Sequence, residues 1–129
     1  MSRPRVLVAD DHPDVVKAVS RLLALACDVV GSVADGKDVL DAVQRLQPDV
    51  VVVDLNLPSV NGLEVCRQIT QTCPETKVIV FTAMNDPEVR QRSLELGASA
   101  FVFKMAGDGD LLSTVKRLYA DRGDPAGRA

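Results

Sequence analysis

Four short apolar runs along the chain each end in a polar residue. Val6-Leu7-Val8-Ala9 leads into Asp10, and Val50-Val51-Val52-Val53 into Asp54. Val78-Ile79-Val80-Phe81 leads into Thr82, and Ala100-Phe101-Val102-Phe103 into Lys104. Runs that are apolar at every position fit strands buried on both faces, as in a parallel sheet. A further run, Asp28-Val29-Val30-Gly31-Ser32-Val33, is more polar and predicts an edge or near-edge strand. Between the runs, apolar positions recur at helical spacing. Pro13 can open the first helix, because a missing N–H costs nothing in a first turn, and Val15, Val19, Leu22, Leu23 and Ala26 form its stripe. The second helix carries Val39, Leu40, Val43 and Leu46 and stops at Pro48. The third carries Leu63, Cys66, Ile69 and Cys73 and ends near Pro74. In the fourth, Asp86 caps and Pro87 fills the first turn, Val89 and Leu94 are expected to face inward, and Gly97 terminates it. The last helix carries Leu111, Val115, Leu118 and Tyr119.

Strand and helix signals thus alternate five times. Such βα repeats with short connections imply a right-handed parallel sheet covered on both faces. The predicted fold is α/β, a flavodoxin-like doubly wound (βα)5 sandwich with strand order 2-1-3-4-5. Ligands of open α/β sheets bind beyond the carboxyl ends of the strands. Asp10, Asp11, Asp54, Thr82 and Lys104 should therefore converge on one rim, a set suited to a divalent cation and a phosphoryl group.

The 129 residues fit one domain, expected over residues 1–120, with 121–129 as a flexible tail or linker stump. Apolar residues make up 47% of the chain and aromatics only 3%, so Val, Leu and Ala must fill the core. The net charge of −3 argues against a general nucleic-acid surface. The N-terminus runs directly into a strand without a signal peptide, and no apolar run approaches membrane-spanning length. Cys27, Cys66 and Cys73 form no CxxC pair and read as free, mostly buried thiols. These features together predict a cytoplasmic protein.

Asp10-Asp11, Asp54 and Thr82 each have a bland reading, and Lys104 does not. Asp10-Asp11 could be a solvated capping turn, although adjacent carboxylates repel unless a cation sits between them. Asp54 could end its strand in an Asx turn. It could equally be a metal ligand and a nucleophile, since a carboxylate can accept a phosphoryl group to give an acyl phosphate. Thr is common in strands. Lys104, directly after an apolar strand, needs a partner or a route to water, and an anion at the rim would supply one. A hydroxyl and an ammonium together can hold phosphoryl oxygens.

Taken in this order, the residues resemble the receiver domain of two-component response regulators, over roughly residues 5 to 120. The likeness rests on Asp10-Asp11, Asp54 with Pro58 and Gly62, Thr82-Ala83, and Lys104 after Gly97-Ala98-Ser99-Ala100-Phe101. The resemblance implies that Asp54 takes a phosphoryl group from the phosphohistidine of a sensor histidine kinase or a histidine phosphotransfer protein, or from a small donor such as acetyl phosphate. It implies Mg2+, with Mn2+ as a substitute, held by Asp11, Asp54 and the backbone carbonyl of Asn56, and by Asp10 through a bound water. Lys104 would pair with the phosphoryl group and Thr82 would move to bond it. Phe101 matches the aromatic switch position. On phosphorylation it would turn inward and remodel the face formed by the fourth helix, fifth strand and fifth helix. That face would control an output domain or partner protein, transcription being one such output. The activity implied is self-phosphorylation and autodephosphorylation only, without enzymatic turnover of a substrate. The chain itself is not expected to bind nucleic acid or membrane, and is expected to be a monomer or a phosphorylation-dependent homodimer.

Met105 stands where many members of the family have a proline preceded by a cis bond, and a cis bond before a non-proline residue costs about 2.5–4 kcal/mol. Met84 stands at a position that influences hydrolysis in the family, yet cannot orient water by hydrogen bonding. His12 is expected at the surface at the helix start rather than as a ligand, because the neighbouring groups are hard oxygens. Asp11-His12-Pro13 and the missing proline resemble receivers of NarL/LuxR-type regulators, so the chain reads as a stand-alone receiver or a piece of a longer regulator. Three other readings compete. A haloacid-dehalogenase-type phosphatase would need a second acid where Asn56 stands. A flavin or nucleotide carrier would need a Gly-rich loop after the first strand. A degenerate receiver would act only as a protein-binding module.

Overall fold

The computed structural model describes residues 3–106 and 108–122. Five strands form one parallel sheet: β1 (Arg5–Ala9), β2 (Asp28–Val33), β3 (Val50–Val53), β4 (Lys77–Thr82) and β5 (Ala100–Phe103). Their order is β2-β1-β3-β4-β5, which puts the polar β2 at an edge as its sequence predicts. Five helices connect and cover them: α1 (Pro13–Leu23), α2 (Val39–Leu46), α3 (Gly62–Thr72), α4 (Pro87–Glu95) and α5 (Asp108–Arg122). Two 3₁₀ turns, Gly36–Asp38 and Lys104–Ala106, precede α2 and α5. Residues 123–129 of the expected tail lie outside the described residues, and Asp121 and Arg122 belong to the last turn of α5.

Alternation along the strands divides the core in two. Leu7, Ala9, Val51, Val53, Val78 and Val80 point to one face, where Val39, Val43, Val65 and Ile69 of α2 and α3 cover them. Val6, Val8, Val50, Val52, Ile79 and Val102 point to the other, beneath Val19, Leu23, Leu111 and Val115 of α1 and α5. β3 is buried at all four positions because it lies mid-sheet between both layers. Cys27 and Cys66 are buried free thiols, and burial pushes Cys66 up to about 11, which keeps it inert.

Two helix details differ from the sequence pattern. α1 ends at Leu23, and Ala26 lies in the turn after it, because Leu25 and Ala26 donate to carbonyls three residues back and wind the chain out of the helix. On α4, Leu94 is 38% exposed, whereas Ser93 is fully buried. Val89 and Ser93 are one turn apart and share a face; Leu94, five residues after Val89, falls about 140° round the helix. No helix among the described residues is long and apolar enough to cross a membrane.

Candidate functional site

Strand register assembles the site. Ala9 pairs with Val53, so the next residues, Asp10 and Asp54, emerge side by side. The Asp54 N–H donates to the Ala9 carbonyl at 2.9 Å, carrying the ladder one step beyond the strands. Thr82 pairs with Phe103 at the end of β4 and β5, which brings Lys104 over the same rim. Lys104 Nζ donates to Asp10 Oδ2 at 3.0 Å and lies 3.6 Å from Asp54 Oδ2. The Phe81 ring faces the ammonium at 5.6 Å, a cation–π contact. The lysine stranded after an apolar strand thus has three partners already in the protein.

Asp10, Asp11, His12 and Asp54 each place one potential ligand atom within 4.8 Å of the others. The Asp10 and Asp54 side chains are 3% exposed and that of Asp11 36%. Burial works to raise the Asp10 carboxyl, but the His12 N–H, Lys104 and the His12 ring together outweigh it, and Asp10 titrates below its ordinary value. Asp54 goes the other way. Burial, joined by the charge of Asp10, outweighs Lys104 and the Asn56 N–H, and Asp54 titrates above its ordinary value. Neighbouring acids driven in opposite directions are a signature of functional sites.

His12 is exposed at the start of α1, as expected, yet its ring turns back onto the acids. Nδ1 lies 2.9 Å from Asp10 Oδ1 and 3.1 Å from Asp11 Oδ1. These contacts, the bond to Asp10 first, raise the imidazole above its ordinary value. The sequence did carry the signal: His12 sits two residues after Asp10, and its N–H donates to Asp10 Oδ1 at 2.9 Å in an Asx turn that folds the ring over the carboxylate. Three carboxylates still dominate the donor set, and such hard oxygens suit Mg2+ or Mn2+. Asp10 is already engaged by Lys104 and His12, so Asp11 and Asp54 are the carboxylates freer to take a cation.

Asn56 is exposed in the loop after β3, and its N–H donates to the Asp54 carboxylate. Thr82 is fully buried, and its hydroxyl accepts from the Met84 N–H at 3.1 Å rather than bonding the ionic cluster. Phe101 is half-buried against the α2–α3 core layer and edges a cavity of about 350 Å³ with Pro87, Arg90 and Thr114. The Lys104–Met105 peptide is trans. The structure therefore brings together Asp10, Asp11, Asp54 and Lys104, sets Thr82 and Asn56 beside them, and leaves Phe101 further along β5.

Residues 6–116 match the family model described as the response regulator receiver domain. The response regulator GacA of Pseudomonas aeruginosa is 33% identical over 118 residues, covering 90% of this chain and 55% of GacA. The chain spans about half the length of the curated relatives it matches. A LuxR-family two-component response regulator from Aurantimonas sp. SI85-9A1 superposes with a TM-score of 0.89 at 30% identity, covering 94% of this chain and 88% of that one. The BeF3-activated DrrB receiver domain superposes with a TM-score of 0.82 at 35% identity, covering 93% and 99%.

Proposed function

This chain belongs to the response regulator receiver domain family, and on that premise we propose that it is a phosphorylation switch whose acceptor is Asp54. The observation that carries this is the pairing of a buried carboxylate with Lys104 at 3.6 Å, on a rim where Asp10 and Asp11 crowd a third and a fourth charge around it. A carboxylate oxygen of Asp54 attacks the phosphorus of a phosphohistidine, or of acetyl phosphate. The new P–O bond forms as the P–N or P–O bond of the donor breaks, and the leaving group keeps the electron pair. Asp11, Asp54 and the Asn56 carbonyl would hold Mg2+, or Mn2+ in its place, while Asp10 stays behind with Lys104. The cation's contribution is to neutralise charge on the carboxylates and the phosphoryl oxygens.

Lys104 then has a better partner in the phosphoryl oxygens than in the neutral acyl oxygens of modified Asp54. The Thr82 hydroxyl accepts from Met84 and so keeps its own hydrogen to donate. Movement of Thr82 and Phe101 would alter the face of α4, β5 and α5, which passes the state to an output domain or partner, or to a second copy. The donor is a sensor histidine kinase or histidine phosphotransfer protein. Kinship with the transcriptional regulatory protein DegU of Brevibacillus brevis favours a transcriptional output.

The test is intact mass after incubation with acetyl phosphate and magnesium, beside Asp54→Ala. One phosphoryl group on the parent and none on the variant is the expected result. No addition, even from a panel of histidine kinases, would overturn the proposal.

A further inference from the structure

The loop that carries Asn56 is tied to a distant turn. Leu55 and Leu57 are buried on either side of the exposed Asn56, and the Gly62 N–H returns to the Leu55 carbonyl at 3.0 Å. Beyond Leu57 the chain makes a γ-turn: Val60 N–H donates to the Pro58 carbonyl at 2.8 Å across Ser59, whose φ is 68°. A non-glycine residue in this conformation is costly and persists only where its surroundings hold it. Here the surroundings are the turn between β2 and α2. Gly36 N–H donates to the same Pro58 carbonyl at 3.0 Å, and Ser59 Oγ donates to Asp35 Oδ2 at 3.0 Å. Asp35 is itself fixed, since its other oxygen accepts from the Lys37 N–H at 3.0 Å. The two backbones abut so closely that a Cβ on Gly36 would lie 1.8 Å from the Val60 carbonyl oxygen.

We propose that this clamp, Asp35 with Ser59 and Gly36 with Pro58, is a positioning device that sets the Asn56 carbonyl for the cation bound by Asp11 and Asp54. The inference rests on the reading of Asn56 as a metal ligand given above. None of the clamp residues touches the cation site. They act by fixing the far end of a short loop whose near end is fixed by Asp54 and the β1–β3 ladder. A purely structural tie would hold the turn together and leave metal affinity unmoved. A positioning tie makes affinity depend on a hydrogen bond made at the other end of the loop. By linkage, cation binding should also slow hydrogen exchange at the Gly36 N–H.

The experiment is a magnesium titration followed by amide chemical shifts, on the parent, Ser59→Ala, Ser59→Gly, Asp35→Asn and Asp11→Ala. Ser59→Ala and Ser59→Gly should each weaken binding by about threefold to tenfold, the worth of one hydrogen bond. Glycine suits φ 68°, so a loss in Ser59→Gly comes from the missing hydroxyl and not from strain or misfolding. Asp35→Asn keeps Oδ1 for the Lys37 N–H and turns its amide N–H toward Ser59 Oγ, which can accept, so the tie survives with its direction reversed and the variant should bind like the parent. Asp11→Ala should abolish binding, which tests the ligand reading by itself. Both Ser59 variants binding as tightly as the parent, with Asp11→Ala still blind to magnesium, would overturn the clamp alone. A parent that does not bind magnesium would overturn the ligand reading and the clamp together.

Discussion

Replacing Lys104 by methionine removes the ammonium and keeps an unbranched stem of similar length. At an effective dielectric of about 20, its contacts at 3.0 Å to Asp10 and 3.6 Å to Asp54 correspond to gross attractions of about 5.5 and about 4.6 kcal/mol. Desolvation offsets most of that. The consequence of truncation is two carboxylates, each 3% exposed, facing one another without their shared cation. Breaking such a buried pair costs several kcal/mol, and 16% of the Lys104 side chain remains in solvent, so we expect a loss of about 2–4 kcal/mol in metal-free protein. With a urea slope of about 1.5 kcal/mol/M the midpoint should fall by about 1.3–2.7 M. The chain has no tryptophan, so far-UV circular dichroism is the probe. The pH dependence gives an independent check. The lowered Asp10 value contributes stability that is present above 3.8 and lost as pH falls through the lower folded value. The raised Asp54 value is a penalty at neutral pH, relieved as pH falls through a folded value above 3.8. Losing Lys104 shrinks the first contribution and deepens the second. The deficit of the variant should therefore be full at neutral pH and close as the solution is acidified through that window. A loss under about 1 kcal/mol at neutral pH, or one that persists unchanged in acid, would refute the shared-cation account of this rim.

Other expectations follow from single residues. His12 is the only histidine, so its imidazole resonance can be followed without ambiguity. In metal-free protein it should titrate above 6.5, its contribution to stability being complete below 6.5 and lost as pH rises through the higher folded value; titration at or below 6.5 would mean the contacts to Asp10 and Asp11 do not form in solution. Gly62→Ala would place a Cβ 2.5 Å from the Asp54 carbonyl oxygen and 2.6 Å from Leu55 Cα, and should cost about 1–3 kcal/mol in urea unfolding. A neutral result there would show that the loop yields easily. Met84 is 41% exposed at the rim, its N–H bonded to Thr82, and Met84→Glu or Met84→Gln should alter the dephosphorylation rate of phosphorylated protein; an unchanged half-life removes that idea.

Four of the five strands were legible because each carries a short run that is apolar throughout, a pattern that admits few structures other than a covered parallel sheet; β2, with Asp28, Gly31 and Ser32, was legible only as an edge. From there the convergence of Asp10 and Asp54 on one rim followed from their places at strand ends, whereas their emergence side by side is set by the register of Ala9 opposite Val53. The helix faces were less secure. Hydrophobicity alone predicts a buried Leu94, but the face that packs is set by Val89 and Ser93, and a serine can occupy it because its hydroxyl donates to the Val89 carbonyl at 2.8 Å. The return of His12 onto the acids is invisible to periodicity because a turn, not a period, places it. The clamp at Asp35 and Ser59 joins residues 24 apart that share no pattern, and only the folded chain brings them together.

On the proposed reading, the same charges would let a covalent change on Asp54 be felt along β5. Lys104 is shared by Asp10 and Asp54, so its place is a compromise between a hydrogen bond at 3.0 Å to the first and a longer attraction at 3.6 Å to the second. On the proposed reaction the Asp54 charge moves outward onto phosphoryl oxygens, while Asp10 keeps its claim. Only such a differential interaction can shift a conformational equilibrium. Lys104 follows β5 directly, Phe101 lies three residues before it, and Thr82 pairs with Phe103 between them. A pull on Lys104 or Thr82 is therefore applied to the outer edge of the sheet. The helix next to that edge is α4, of which only Ser93 is fully buried, whereas α3 buries Val65, Cys66 and Ile69. An element with so little core of its own costs the least to displace. That asymmetry in packing, rather than any special feature of Phe101, is the physical reason to look for the output at α4, β5 and α5.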